Sequence, residues 1–477
     1  MAKLINKITP LESNFSQWFI DVVTNGNLMV YGPVKGTIMF KPNAYGIWEQ
    51  IQTEFNKVLR KHNVANVYLP MLIPAALIEQ EKAHVAGFAP ELATITQVGD
   101  KHLSEPLYIR PTSEVLFAQL FKSQIHSHND LPVCYNQWAN VLRWEKTTNP
   151  FLRTSEFLWQ EGHTCHASAD EAQEMTLTMI RVYQRFVAEF LALPVLVGLK
   201  TESEKFAGAC QTYTIEAMMK DGKALQSATS HYLGQNFSRI YGVDFKTATN
   251  EFTSVYQSSW GLSTRIIGAL IMAHGDNRGL IIPPKIAPYQ VDIIEIMANK
   301  HPEVATQAEQ IRQTLEAQGI RVRIDRSSKS FGYKAAQSEI EGVPLRIEIG
   351  PQEAAQHQVA LVRRDTLAKT TVAQAKLGMA VARHLEAIQQ DLLDQATKRL
   401  QANLVYTNDY QTFRAHIAAQ KFVLVPLVDE PALEAQIKAE TTATARCIPL
   451  DLELPEAAPC MLSQQPTNRF VVFAKAY

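Results

Sequence analysis

Between Ala139 and His163 the chain reads ANVLRWEKTTNPFLRTSEFLWQEGH, and the fold is decided here. Two runs carrying Val141 and Trp144, and Phe157 and Trp159, flank the polar loop TTNPFLRTS and read as two strands joined by that loop. Side chains alternate along a strand. The alternation puts Val141, Arg143 and Glu145 on one face with Trp144 opposite, and Phe157, Trp159, Glu161 and His163 together on the returning strand. One sheet face then carries an arginine, carboxylates, a tryptophan and a histidine. Such a face is costly to bury unless each charge finds a partner. An aromatic among the charges predicts a pocket; ordinary cross-strand ion pairs on a wet face are the competing reading.

Two other segments bear similar chemistry. Arg110-Pro-Thr112-Ser-Glu114 presents a hydroxyl and a carboxylate two residues apart, suited to a cationic amine, although Ser/Thr-x-Glu before VLFAQLF is also an ordinary helix start. In SSWGLSTRIIGALIMAHGDNRGL, Gly261 permits close backbone approach, and Arg265 stands where an apolar helix begins, placed to meet a polyphosphate. A surface arginine at the end of a buried helix is the plain alternative. Neither a P-loop nor a GxGxxG fingerprint occurs.

Length and composition bound the rest. The 477 residues predict two to four domains with ample core. With 46% apolar and 19% charged residues, the chain is neither disordered nor fibrous. A balance of 46 Lys+Arg against 47 Asp+Glu excludes a uniformly basic nucleic-acid binder and leaves room for a local basic patch. The scattered cysteines Cys134, Cys165, Cys210, Cys447 and Cys460 argue against a disulfide framework and suit a reducing compartment. The opening MAKLINK lacks the apolar core of a signal peptide. The apolar stretch Ile266 to Ala273 is far short of the ~20 residues that span a bilayer. A soluble cytoplasmic protein without membrane contact is expected.

Along the chain, Tyr45 to His62 puts Ile47, Ile51, Phe55, Val58 and Leu59 on one helical face. In the following VANVYLPMLIP, Pro70 and Pro74 argue for an edge or interface strand. Residues 170–192 read as a helix opened by Asp170. LIIPPKIAP, 280–288, reads as a stiff connector and a domain boundary. Beyond it the strands YQVDIIEIMA, GIRVRID, LRIEIG and QVALVRR alternate with helices over 301–318, 333–341 and 371–389, a compact α/β domain. A helix over 384–402 and the strands FVLVPLV and RFVVFAKAY make a third section. The expected division is 1–284, 285–388 and 389–477.

Together these segments resemble the signature motifs of class II aminoacyl-tRNA synthetases. The first helix with VYLPMLIP is similar to motif 1, its proline at a dimer interface. Arg143-x-Glu145, the loop and Arg153-x-x-x-Phe157 are similar to motif 2, and GLSTR with its apolar helix to motif 3. NFSQWFIDVV, LYIRPTSE, EKFAGA, MKDGKALQSATSHYLGQNF and the C-terminal ETTAT with FAKAY more narrowly resemble the prolyl-tRNA synthetase family, in the eukaryote/archaea-like form without an inserted editing domain. The likeness covers the chain from about residue 10 to Tyr477, dense through residue 290 and sparser beyond.

The resemblance implies an α+β catalytic domain with an antiparallel sheet flanked by helices, an α/β anticodon-binding domain and a small α+β C-terminal domain. It implies ATP-dependent activation of L-proline to prolyl-adenylate and transfer to the 3' end of tRNA(Pro), by a homodimer using ATP with Mg2+. Arg143, Glu145 and Arg265 would be catalytic, Arg143 holding the α-phosphate and substrate carboxylate and Glu145 facing the adenine amino group. Arg153 and Arg265 would grip the outer phosphates, with Gln226 and Thr229 lining the nucleotide site. Thr112 and Glu114 would bind the proline nitrogen. Trp159, Phe206 and His231 would enclose the ring, with Glu161 and His163 closing the back. A threonyl enzyme is the nearest rival; Trp159 with His231, and the Thr112/Glu114 pair, favour a cyclic imino acid.

Three departures stand against this pattern. Where many relatives carry a four-cysteine zinc site, alignment through ETTATARC places Val428, Leu433, Cys460 and Ser463. A closed zinc site needs about four such ligands, so no structural zinc is expected and apolar packing should hold the module. In the motif 2 loop, Thr147 and Asn149 stand where relatives usually have arginines. In GYKAAQSEIEGVPLRIEIGPQ the family's aromatic falls at Ser338, its basic residue at Glu341, and Gln352-Glu353 replaces a basic-acidic pair. Lys334, Arg346 and Glu348 are the anticodon candidates, with Arg321, Arg323, Arg326 and Lys329 available for phosphates. These departures raise the alternative of a non-canonical paralogue with impaired tRNA charging or an RNA-binding, regulatory role. Glu161 to Gly261 leaves no room for a hydrolytic domain, so some alanine misactivation without correction in cis is expected.

Overall fold

The expected hairpin lies within a sheet of eleven strands. This computed structural model describes residues 8–80 and 92–477, so the opening MAKLINK lies outside the described residues. The hairpin strands run longer than the alternation indicated, Val133–Leu142 against Glu156–His166, in antiparallel register. Across the sheet the order is Leu404–Tyr406, Phe422–Pro426, Phe470–Ala474, Thr444–Pro449, Val195–Leu199, Gln211–Met218, Ala224–Gly234, Tyr256–Ser263, Glu156–His166, Val133–Leu142 and Ala65–Asn66. Only the two outermost pairings are parallel.

Helices close one face of this sheet. Ala169–Leu191 starts where the Ser168 side chain accepts the Glu171 N–H, with Asp170 and Glu171 in its first turn favoured by the helix dipole. It buries Met179, Ile180, Tyr183 and Phe186, and Tyr183 stacks on Phe55 of helix Pro42–Lys61 at 5.4 Å between ring centroids. Helix Arg265–His274 is apolar all round, and every residue after Arg265 is buried. Gly162 lets the Trp260 indole lie against the neighbouring strand, since a Cβ there would sit 2.0 Å from the ring.

The second unit is a five-stranded sheet in the order Val322–Ile324, Val291–Glu295, Leu345–Ile349, Gln358–Arg363, Lys369–Ala373. Leu345, Ile347 and Ile349 pack on helix Pro302–Glu316 and the start of Leu377–Asn403. Two expectations are corrected here. Residues 371–373 belong to the edge strand, because Thr370, Thr371 and Val372 are β-branched and favour extended backbone. The helices expected over 371–389 and 384–402 are one 27-residue helix, Leu377–Asn403, and the 388/389 division falls inside it. The proline-rich connector is packed rather than free: Leu280, Ile282, Ile286 and Ala287 are buried in the core beneath the large sheet.

The C-terminal strands extend the eleven-stranded sheet, pairing Ile448 with Leu199 and Pro449 with Gly198. Their own core is apolar, built from Phe413, Ile417, Val423, Val425, Ile437 and Phe473, as expected of a module held by packing. Among the described residues no helix is long and apolar enough to cross a membrane.

Candidate active site

The register of the hairpin builds the site. Val141 pairs with Phe157, Ala139 with Trp159, Gln137 with Glu161 and Tyr135 with His163, and residues directly opposite share a face. Phe157, Trp159, Glu161 and His163 thus line one wall of a cleft of about 270 Å³. Thr112, Glu114, Arg143, Phe206, Gln226, Thr229, His231 and Arg265 line the same cleft. Glu145 and Arg153 lie on the loop between the strands, their charged groups 3.8 Å apart.

Arg143 faces the cleft as the alternation expects, one residue past the strand end at Leu142, and Glu145 lies further out on the loop. The Arg143 N–H donates to the Ser155 carbonyl at 2.8 Å. Its Nε donates to the Pro111 carbonyl at 3.0 Å, and the guanidinium lies 5.4 and 5.6 Å from the Phe157 and Trp159 ring centroids. Trp144 turns outward, as anticipated, and is 51% exposed.

Helix Glu114–Gln124 begins at the Thr112–Glu114 pair, but Ser113 makes no capping bond. Instead the Thr112 hydroxyl donates to the Glu114 carboxylate. Opposite, Glu161 Oε1 accepts from Gln137 Nε2 at 2.9 Å, and its Oε2 lies 3.2 Å from His163 Nε2. His163 stacks on Phe117 at 4.1 Å between ring centroids. Both ring nitrogens of His231 are engaged, 3.0 Å from the Thr212 and Thr229 hydroxyls. Burial, assisted by the nearby His163, brings the His231 pKa down to about 3, so its imidazole is neutral. Thr212 also accepts the Phe206 N–H at 3.0 Å, which seats that aromatic beside the cleft.

Arg265 heads the buried helix and donates from Nε to the Leu152 carbonyl at 2.9 Å. Burial, then the charges of Arg153 and Arg143, lower its pKa to about 10. Guanidinium groups gathered this closely favour a polyanion between them. The separate single-sequence arguments for Arg143 and Arg265 therefore meet in one place.

Two buried residues outside the cleft lining were not apparent from sequence. Gln137 shares the face of Glu161 and bonds it, four residues before Val141 on the same strand. Glu216 sits at a bulge in Gln211–Met218, fully buried, and bonds Lys200 Nζ at 2.9 Å and the Arg446 guanidinium at 2.9 Å. Nothing in TYTIEAM announces partners on other strands.

In the second unit, the anticodon candidates are engaged with neighbouring groups of the same unit. Lys334 Nζ donates to the Asp325 carbonyl at 2.6 Å. Arg346 pairs with Glu348 at 2.9 Å and Glu339 at 3.0 Å, and Glu348 also pairs with Lys369 at 2.7 Å. The phosphate candidates are engaged as well: Arg323 pairs with Asp292 and Glu341, Arg326 with Glu309, and Arg321 donates to the Pro284 and Ala287 carbonyls. Lys329 lies 5.5 Å from the Tyr333 ring centroid.

At the positions aligned with a zinc site, Val428 and Leu433 pack against the C-terminal core and Cys460 is buried. Among the described residues no group of three or more His, Cys, Asp or Glu side chains is gathered to hold a metal ion.

Residues 97–274 match the tRNA synthetase class II core domain (G, H, P, S and T). An antiparallel sheet with arginines on a hairpin loop and at the head of a buried helix is the architecture of the class II aminoacyl-tRNA synthetases, and this chain has it. Residues 290–384 match an anticodon binding domain, and 410–477 match the prolyl-tRNA synthetase C-terminal domain. The chain is 56% identical over its whole length to a proline–tRNA ligase of Mycoplasma mobile, covering 99% of that protein, and 57% identical to one of Mycoplasmopsis synoviae, covering all of it. A proline–tRNA ligase of Agathobacter rectalis is 46% identical over all of this chain and 99% of its own length. The chain belongs to the prolyl-tRNA synthetase family.

Proposed function

We propose that the chain catalyses ATP-dependent activation of L-proline to prolyl-adenylate and its transfer to the 3' end of tRNA(Pro). One observation carries the reading: Arg143 and Arg265 share a cleft with the Thr112–Glu114 pair and the Trp159 ring, so a triphosphate and a small cyclic ammonium ion can meet there. In the first step the proline carboxylate attacks the α-phosphate and pyrophosphate leaves. The protein contributes position and charge. Arg143 holds the α-phosphate and carboxylate, Glu145 the adenine amino group, and Arg153 and Arg265 the outer phosphates. Gln226 and Thr229 border the nucleotide. Thr112 and Glu114 accept from the proline nitrogen, Trp159, Phe206 and His231 surround the ring, and Glu161 and His163 close the back. Magnesium enters as part of the substrate MgATP.

Other features complete the reading. A homodimer forms through the segment around Pro70, where Tyr68, Met71 and Leu72 are exposed. The enzyme works in the cytoplasm. The division 1–284, 285–388 and 389–477 describes functional units, although the last two share a helix and the third shares the catalytic sheet. Lys334, Arg346 and Glu348 contact the anticodon by exchanging their present ion pairs for bases and phosphates. One thiol at the four aligned positions leaves the C-terminal module without zinc. The paralogue alternative has no support in the site, where the proposed catalytic set is complete. The decisive experiment is prolyl-tRNA formation with purified tRNA, alongside ATP–pyrophosphate exchange over a panel of amino acids. Proline-specific exchange with charging is expected; exchange with threonine alone, or no charging, would refute the reading.

A further inference from the structure

We infer that Gln137 is a positioning residue for proline: one buried amide ties together the two walls of the amino-acid pocket and the interface segment beside it. The inference rests on the proposed assignment of Thr112, Glu114 and Glu161 to proline. The side chain is wholly buried, and each of its polar functions is committed. Its Oε1 accepts the Leu69 N–H at 2.7 Å. Its Nε2 donates one hydrogen to Ser113 Oγ at 3.0 Å and the other to Glu161 Oε1 at 2.9 Å. An amide has two N–H donors and a carbonyl, and here all three are used.

The partners give this arrangement its consequence. Ser113 lies between Thr112 and Glu114, and its hydroxyl makes no capping bond to the helix that follows. Glu161 meets His163 with its other oxygen, so the amide fixes which way that carboxylate faces. Leu69 precedes Pro70, and the carbonyls of both accept from the guanidinium of buried Arg110, which also donates to the Asn140 carbonyl. Displacement of the Leu69–Pro70 segment is therefore felt at the pocket through two routes, Arg110 and Gln137. Replacing the amide leaves a buried N–H at Leu69 and a buried carboxylate at Glu161 each short of a partner, and such groups reorient.

The test is steady-state ATP–pyrophosphate exchange with the full chain. Gln137→Met, similar in volume but unable to bond, should raise the proline KM at least about tenfold, since hydrogen bonds to charged groups are worth that much, while the ATP KM stays within about twofold. Gln137→Glu keeps an acceptor for Leu69 and the original shape, so it serves if the first variant does not fold; a carboxyl facing Glu161 should again raise the proline KM selectively. Combining Gln137→Met with Glu161→Gln should give no more than the larger single effect, because both act on one bond. An unchanged proline KM, or equal rises for proline and ATP, would overturn the inference. Glu114→Gln separates the two levels. If it leaves the proline KM unchanged, the pocket assignment itself fails; if it raises the KM and the Gln137 variants do not, only the role of Gln137 fails.

Discussion

The guanidinium of Arg446, on a strand of the C-terminal module, bonds the carboxylate of Glu216 on the catalytic sheet from both Nε and a terminal nitrogen, at 3.1 and 2.9 Å. Lys200 holds the other oxygen, so burial, which opposes ionisation, is outweighed by two cations and the Glu216 pKa is lowered. The module is thus joined to the enzyme by charge as well as by strand pairing. Arg446→Met leaves the buried Glu216 carboxylate held by Lys200 alone and should cost about 1.5–3 kcal/mol in urea unfolding. The Glu216→Gln, Arg446→Met double variant should be less stable still, because the buried Lys200 ammonium then loses its carboxylate partner. Equal stabilities for Arg446→Met and the parent would mean the pair contributes nothing.

In the proposed reaction Arg143 stands where the adenylate forms. With Arg143→Ala the charge opposing the α-phosphate is lost, and proline-dependent exchange should fall by about 10²–10³ or more. Folding should be unaffected in circular dichroism, because its aromatic neighbours close on a smaller side chain. Near-normal exchange would contradict its placement.

How much of this was readable in advance depended on the distance over which a pattern acts. Alternation is a local rule, and it correctly placed Trp159, Glu161 and His163 on one face. It reached one residue past the strand end at Leu142, since Arg143 lines the same cleft, while Glu145 lies further out on the loop. The buried helix at Arg265 was equally legible from its unbroken apolar run. Glu216 and Arg446 were not, since an isolated acid in an apolar strand says nothing about a partner 230 residues away. The merged helix Leu377–Asn403 escaped notice for the opposite reason. Both expected helices were helical in pattern, and no glycine or proline separates them to mark or exclude a boundary.

Discrimination against smaller amino acids should be imperfect. The interval from Glu161 to Gly261 is taken up by helix Ala169–Leu191 and three strands of the main sheet, Val195–Leu199, Gln211–Met218 and Ala224–Gly234. Alanine lacks ring methylenes, each worth only ~1–3 kcal/mol of discrimination. Alanine-dependent AMP formation should be detectable, with alanyl-tRNA(Pro) persisting when no other enzyme is added. A sensitive assay finding no alanyl-adenylate would show that this pocket excludes alanine by some stronger means.

The C-terminal module should be indifferent to chelators. Its core is aliphatic and aromatic, and three of the four positions aligned with zinc ligands are Val428, Leu433 and Ser463. Elemental analysis of purified protein should give far less than one zinc per chain, and EDTA should leave the unfolding midpoint unchanged. Near-stoichiometric zinc would disprove this.

Three histidines give stability a definite dependence on pH. Burial lowers the pKa of His274 and His231 to about 3 and that of His166 to about 4, with Glu171 partly opposing the shift at His166. In the unfolded chain each titrates near ~6.5, so protons bind the unfolded state more strongly throughout the interval between. Their contribution is complete above about pH 6.5 and is lost as pH falls toward 4, at about 1.4 kcal/mol per pH unit for each histidine. His274 Nε2 donates to the Leu191 carbonyl at 2.8 Å, a bond that a glutamine amide can also make. His274→Gln should therefore be less stable than the parent at pH 7.5 by packing alone, yet lose about 2 kcal/mol less between pH 7.5 and pH 5. Parallel stability curves for the two proteins over that range would show that His274 is protonated in the native state.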